Sequence, residues 1–246
     1  DVYKRQSLEC QKLEKNYKNS KILINYDDLI AILYLANHYY GLEKKNEVKL
    51  LIVDEFQEYA PLHFELLRQI CPCNWIVLGD INQSIFKNLD EKYLLKLSVN
   101  FDLGDVIYLT KSYRMTNQIA EMANKIKDVG GTNFDRNGEK VDFIKVNEIA
   151  ENLNASRFET KAVLCKDEKS ASEIYNILKH KIDCSLNKFE HGKVLIASVN
   201  NVKGIEFEQV VVYNFDKFDT NKKLDKNILY NIITRATNKL VIATNE

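Results

Sequence analysis

Two strand-like apolar runs in this sequence end in acids. Leu51-Ile52-Val53 runs into Asp54-Glu55-Phe56-Gln57-Glu58, and Trp75-Ile76-Val77-Leu78 runs into Gly79-Asp80-Ile81-Asn82-Gln83. Ligands of open α/β sheets bind beyond the carboxyl ends of the strands, so both runs deliver polar groups to the edge where chemistry is done. Asp54 placed there can hold Mg²⁺, directly or through water, while Glu55 polarises a water molecule for attack on a phosphate. A buried Gln83 can bridge a phosphate oxygen and a water, and so register whether a terminal phosphate is present. Taken singly, Asp54 and Glu55 also read as caps of the next helix, and Asp80–Gln83 as a turn. Two polar strand ends at one edge are harder to dismiss than one.

Three further stretches carry groups suited to anions: Leu109-Thr110-Lys111-Ser112-Tyr113-Arg114, Ile196-Ala197-Ser198-Val199-Asn200-Asn201-Val202-Lys203-Gly204-Ile205-Glu206-Phe207, and Leu229-Tyr230-Asn231-Ile232-Ile233-Thr234-Arg235-Ala236. Each alone has an ordinary reading. Arg114 could be a surface charge, Lys203-Gly204 a turn, and Arg235 a cation favoured at a helix C-terminus.

The elements that must position these groups follow from periodicity. Short continuous apolar runs read as strands buried on both faces: 50–53, 75–78, 106–109, 162–165, 194–197, 210–213 and 240–243. Amphipathic helices are predicted between them, one behind Asp27 and Asp28 that stops near Gly41, others over Pro61–Ile70, Thr116–Lys127, Glu168–Lys181 and Asp225–Ala236. Alternating strands and helices imply an α/β fold with a mostly parallel sheet. The polar stretch Lys87–Asp105, with Gly104 before a new strand, marks a boundary between two α/β domains, 1–104 and 105–246. Asp128–Lys140, with Gly130-Gly131 and Gly138, reads as an exposed loop.

Composition excludes several classes. Among 246 residues, 35 basic side chains meet 35 acidic ones, so no global positive field coats nucleic acid, although a local basic groove remains open. Two Pro and eight Gly argue against disorder or collagen. No apolar run approaches the ~20 residues of a membrane span. Cys10, Cys71, Cys73, Cys165 and Cys184 lack zinc-ligand spacing. The sequence opens at Asp1 with no signal-peptide-like stretch. These features read as a cytoplasmic protein whose N-terminal part is missing.

In their order, the five polar stretches resemble motifs II to VI of superfamily 1 helicases of the UvrD/Rep type, from about Ile24 to Val241, with Asn25-Tyr26-Asp27-Asp28-Leu29 similar to the segment ahead of motif II. The resemblance implies two RecA-like P-loop NTPase-type domains, the first incomplete, and ATP, Mg²⁺ and single-stranded DNA as ligands. It implies Asp54 as the Mg²⁺ residue, Glu55 as the base orienting water, Gln57 and Gln83 at the γ-phosphate or its water, and Asp80 supporting that edge. Tyr113 would pack on adenine, Lys203-Gly204 would line the nucleotide site, and Glu206 would bind ribose. Arg114 and Arg235 would reach the γ-phosphate across a cleft from the second domain, where a trans-acting arginine can be worth ~10³–10⁵ in rate.

The sequence also departs from that family. None of its eight glycines sits in a G-x-x-x-x-G-K-[S/T] loop, for which truncation is the simplest account. The interval from Arg114 to Lys203 leaves no room for the sizeable extra domain of larger members. An aromatic usually follows motif III and stacks on DNA; here Lys87-Asn88-Leu89 stands, and a lost stack would weaken binding by ~1–3 kcal/mol unless Phe86 substitutes. Ser198 and Asn200 stand where Thr and His are common, on the DNA-contacting side. The leading expectation is part of an ATP-dependent DNA helicase or translocase moving 3′ to 5′. Alternatives are a DNA-stimulated ATPase that moves without unwinding, in repair or defence, and a degenerate module that binds without hydrolysis.

Overall fold

The computed structural model describes residues 24, 26–85, 89–130, 132–133 and 135–245. They form two compact units. The first comprises the described residues up to Val53 with Tyr59–Val77 and Val99–Leu103; the second comprises Asp54–Glu58, the described part of 78–98, and the described residues from Gly104 onward.

In the first unit, helix α1 (Tyr26–Tyr40) precedes strand β1 (Leu50–Val53), helix α2 (Pro61–Ile70) and strand β2 (Asn74–Val77); the end of helix α3 (Glu91–Phe101) completes it. Pro61 opens α2, where its missing N–H costs nothing. β1 and β2 pair in parallel with Leu51 opposite Trp75 and Val53 opposite Val77. Phe64 of α2 is fully buried against Phe101 and Trp75, with ring centroids 5.6 and 6.5 Å apart. The Trp75 indole N–H donates to the Cys71 carbonyl at 3.2 Å, which satisfies the one polar atom this ring brings inside.

The second unit is built on a six-stranded sheet in which every pairing is parallel. Its strands are β5 (Asp142–Lys145), β6 (Lys161–Cys165), β7 (Cys184–Leu186), β8 (Val194–Ser198), β9 (Phe207–Val212) and β10 (Ala236–Thr244), in the order β5-β10-β9-β6-β8-β7. A short parallel pair, β3 (Lys111–Ser112) with β4 (Thr132–Asn133), stands apart. Period-2 alternation sends Leu164, Leu195, Val210 and Ile242 to one core with helices α4 (Asn117–Ile126) and α7 (Lys223–Ile233). Val163, Ile196, Val211 and Val241 go to another with α5 (Ile149–Asn154) and α6 (Glu168–Leu178). Both faces are therefore covered, as a parallel sheet requires. Each fully buried large aliphatic side chain, such as Leu164 or Ile196, contributes ~1.5–3 kcal/mol over exposure.

Two expectations need correction, the strand at 106–109 and the plain loop at 128–140. Val106–Leu109 forms no strand, and Ile107 and Leu109 stand 82% and 91% exposed. An apolar run becomes a strand only where a neighbour takes its hydrogen bonds, and this run has none among the described residues. The polar stretch 87–105 contains α3, whose apolar face holds Leu97 and Phe101 buried among exposed charges. The loop 128–140 carries β4 and is tied down along residues 135–138.

Candidate nucleotide site

Both strand-end acids continue directly from β1 and β2, and all the residues described below lie in the second unit. Glu55 follows Asp54 with φ of 53°, a left-handed conformation unusual for a non-glycine residue; its N–H donates to Asp54 Oδ1 at 2.8 Å. A 3₁₀ turn, Phe56–Glu58, comes next, and the Phe56 N–H donates to the Leu78 carbonyl at 3.0 Å. Gln57 is 3% exposed. Its Nε2 donates to Glu55 and its Oε1 accepts the Asp80 N–H at 3.0 Å, so this amide ties the two strand ends together. Gly79 is required for that approach, since a Cβ there would lie 2.3 Å from Gln57 Oε1 and 2.5 Å from Phe56 Cδ1.

Asp80 organises the second strand end. Its Oδ1 accepts from the Asn82 N–H at 2.8 Å and its Oδ2 from Gln83 Nε2 at 3.1 Å, closing the 3₁₀ turn Ile81–Gln83. Helix α7 grips that turn. Asn227 and Asn231 recur one helical turn apart and so share one face, and Arg235 follows in the turn just beyond the helix. The Asn231 side chain donates to the Gln83 carbonyl at 3.0 Å, and Arg235 Nη2 donates to Gln83 Oε1. Lys127, at the end of α4, donates to the Asn82 carbonyl at 2.7 Å and to Asn227 Oδ1 at 3.1 Å. Burial holds the Lys127 pKa below the ordinary lysine value, an effect opposed by Asp80. Burial also pushes the Tyr230 hydroxyl up to about 12.

Arg235 is 4% exposed. Burial, then the neighbouring Arg114 guanidinium, lowers its pKa, while Glu55, Glu206 and Asp80 act in the opposite direction. Two guanidinium groups thus repel each other beside three carboxylates. Arg114 is paired through Nε with Glu206 Oε1 at 2.5 Å, and Lys203 Nζ is paired with Glu58. Gly204 takes φ of 70° in the turn behind Lys203. The sequence therefore brings Glu55, Gln57, Asp80, Gln83, Arg114, Glu206 and Arg235 together, with Asp54 and the Lys203–Glu58 pair attached through their chain neighbours.

The remaining candidates lie differently. Tyr113 is 65% exposed, with Lys111 Nζ 5.6 Å from its ring centre. Ser198 is buried and donates to Glu168 Oε1 at 2.8 Å; Asn200 is exposed, while its neighbour Asn201 donates to the same oxygen at 2.6 Å. Phe86 lies outside the described residues. Sequence reasoning missed Glu58, Lys127, Asn227, Asn231 and Glu168. Only Asn231 had a usable signal, its position one helical turn before Arg235.

A buried guanidinium, Arg235, and an exposed one, Arg114, lie beside strand-end carboxylates, at the kind of edge where α/β sheets bind ligands. Comparison with known proteins gives the family. Residues 2–102 match the UvrD/REP helicase N-terminal domain, and residues 193–243 match the UvrD-like helicase C-terminal domain. The chain belongs to the UvrD/Rep family of superfamily 1 helicases. It is 27% identical over 134 residues to the ATP-dependent DNA helicase srs2 of Schizosaccharomyces pombe, covering 51% of this chain and 14% of that protein. It is 29% identical over 109 residues to the ATP-dependent DNA helicase Rep of Escherichia coli, covering 42% and 16%. To the ATP-dependent DNA helicase UvrD2 of Mycobacterium bovis it is 28% identical over 116 residues, covering 42% and 16%. These matches span about a sixth of each relative's length. Among solved structures, an arterivirus nonstructural protein 10 helicase in complex with DNA aligns at TM-score 0.46 and 14% identity, over 80% of this chain and 40% of that one.

Proposed function

We propose that this chain is the motif II to VI part of an ATP-dependent DNA helicase or translocase, and that the cluster around Gln83 and Arg235 is its γ-phosphate site. The observation that carries this reading is Arg235, 4% exposed and donating to the Gln83 amide that Asp80 holds from its other side, with the Arg114–Glu206 pair as its charged neighbours. Phosphoryl transfer needs charge neutralisation and positioning more than covalent chemistry, and this cluster supplies both. In this reading Glu55 orients the attacking water, Gln83 contacts the γ-phosphate or that water, and the two arginines take up its developing charge. Gln57, buried and engaged at both ends of its amide, holds the strand ends for them. Glu206, Tyr113 and Lys203-Gly204 receive the nucleoside side.

Mg²⁺ fits the donor set. Asp54 carries an exposed carboxylate, and no group of three His, Cys, Asp or Glu side chains converges among the described residues. Mg²⁺ would rest on Asp54, nucleotide oxygens and water, its usual mode in ATPases, and would supply charge neutralisation at the phosphates.

The sequence holds no G-x-x-x-x-G-K-[S/T] loop, so we place that loop in a segment outside these 246 residues; the polypeptide that joins it to this chain is the P-loop-bearing form. Single-stranded DNA is the track and movement runs 3′ to 5′. No helix among the described residues is long and apolar enough to cross a membrane. The test is turnover of ATP by both polypeptides with saturating single-stranded DNA, followed by strand displacement from duplexes with a 3′ or a 5′ tail. The P-loop-bearing form should approach the typical ~10 s⁻¹ and open the 3′-tailed duplex, and the 246-residue chain alone should do neither. Absence of DNA-stimulated turnover in the P-loop-bearing form overturns the proposal.

A further inference from the structure

We propose that Arg136 is a positioning residue for ATP hydrolysis: it fastens the backbone at Arg114 to the backbone beside Arg235 without itself reaching the nucleotide. This rests on the γ-phosphate reading above. The loop that carries it reads as plain connection in the sequence, yet the Arg136 guanidinium touches both arginine-bearing segments. Arg136 Nη2 donates to the Arg114 carbonyl at 2.9 Å, to the Thr237 carbonyl, and to Asn238 Oδ1 at 3.1 Å. Thr237 lies in β10 just after the turn that holds Arg235. All three acceptors are neutral carbonyl oxygens, so these contacts supply geometry without forming an ion pair. A planar guanidinium presents its N–H groups in fixed directions, which an ammonium on a flexible stem does not.

The loop is itself built for this task. The Asn117 N–H donates to the Arg136 carbonyl at 2.8 Å. The Asn117 side chain donates to Asp135 Oδ1 at 2.8 Å and to Asn137 Oδ1 at 3.2 Å, and the Gly138 N–H donates to Gln118 Oε1 at 2.8 Å. A Cβ at Gly138 would fall 2.4 Å from Thr116 Cγ2 and 2.7 Å from its Cβ. Only glycine therefore lets the loop lie against the start of α4, two residues beyond Arg114. With both ends set, the separation of the two guanidinium groups is defined before a phosphate arrives, and preorganisation of that kind is what charge stabilisation in a transition state needs.

Two measurements test this. In the 246-residue chain, the Nε–H resonances of Arg114 and Arg235 are followed in ¹⁵N spectra of wild type, Arg136→Gln, Arg136→Lys and Gly138→Ala. Both resonances should move in Arg136→Gln and in Gly138→Ala, with exchange at Arg235 faster by about tenfold, the loss of roughly one hydrogen bond, and Arg136→Lys should fall between. Unmoved resonances overturn the proposal. In the P-loop-bearing form, Arg136→Gln should lower kcat by ~10–100-fold, the scale of a small misplacement, with the KM for ATP nearly unchanged. On an Arg114→Ala/Arg235→Ala background the same substitution should cost nothing more, because its effect passes through those residues. A loss carried by KM, or one that adds on that background, shows a merely structural role. If wild type turns over no ATP, the γ-phosphate reading fails, while the resonances still decide whether Arg136 positions the arginines.

Discussion

The side-chain amide of Gln83 is shared between an acid and a base: Nε2 donates to Asp80 Oδ2 at 3.1 Å and Oε1 accepts from Arg235 Nη2. One planar group thus joins the turn at Asp80–Gln83 to the turn that follows α7, and its backbone carbonyl is held by Asn231 at 3.0 Å. Gln83→Ala removes both side-chain bonds and leaves a buried guanidinium without that partner. Urea unfolding of the 246-residue chain should show a loss of ~1–3 kcal/mol, the cost of an unsatisfied buried polar group. A change below ~0.5 kcal/mol, the range of an ordinary surface substitution, would mean that the contact is incidental.

Gly79 is the steric hinge of the strand ends. Gly79→Ala would drive a methyl group against Gln57 Oε1 and the Phe56 ring. Overpacking of this kind costs ~1–3 kcal/mol. The midpoint in urea should fall, and a quenched-flow or fluorescence chevron can show whether the loss sits in unfolding. An unchanged midpoint would mean that Phe56 and Gln57 yield without cost.

Ser198 has a pH signature. Its hydroxyl is the largest of the effects on the Glu168 carboxyl; burial opposes it next, and the Asn187 and Asn201 amides then help to hold the carboxyl below the usual glutamate range. A folded-state pKa below the unfolded one gives stability that is present above the unfolded value near ~4.3 and is lost as pH falls through the folded value. Ser198→Ala removes the largest of these effects. The carboxyl ¹³C titration of Glu168 should therefore move to higher pH, and the acid-side loss of stability should shrink. An unmoved titration would place the cause elsewhere.

The sequence was informative wherever one residue type could serve one purpose. Continuous apolar runs at 194–197 and 240–243 became buried strands because a two-sided parallel sheet needs them. Pro61 set the start of α2, and the acids after β1 and β2 reached one site. Long-range partners were not legible. Nothing local marks Arg136 as a link between the backbones at 114 and 237, or Lys127 as the donor to the Asn82 carbonyl. Those contacts exist only after the chain has folded, and an arginine in a glycine-bearing loop looks like any solvated one. The run 106–109 failed in the opposite direction, since apolar pattern alone does not supply a strand neighbour.

Glu55 distinguishes a base from a cap. In the P-loop-bearing form, Glu55→Gln should preserve nucleotide affinity and lower turnover by ~10²–10⁴, the range of general-base catalysis. The amide keeps the shape and the Gln57 neighbour while removing the carboxylate that orients water. Tight binding with near-normal turnover would leave Glu55 as a structural residue.

The most direct test of the account is the comparison of hydrolysis with ADP binding in Arg114→Ala and Arg235→Ala of the P-loop-bearing form. The two guanidinium groups lie close enough to lower the pKa of Arg235 beside Glu55 and Asp80, so both should meet the γ-phosphate, which ADP lacks. Each substitution should cut single-turnover hydrolysis by ~10³–10⁵ while the Kd for ADP changes less than about threefold. Surface ion pairs would contribute only ~0–1 kcal/mol. Hydrolysis within tenfold of wild type, or ADP binding weakened as much as hydrolysis, would contradict the assignment of this cluster as the γ-phosphate site.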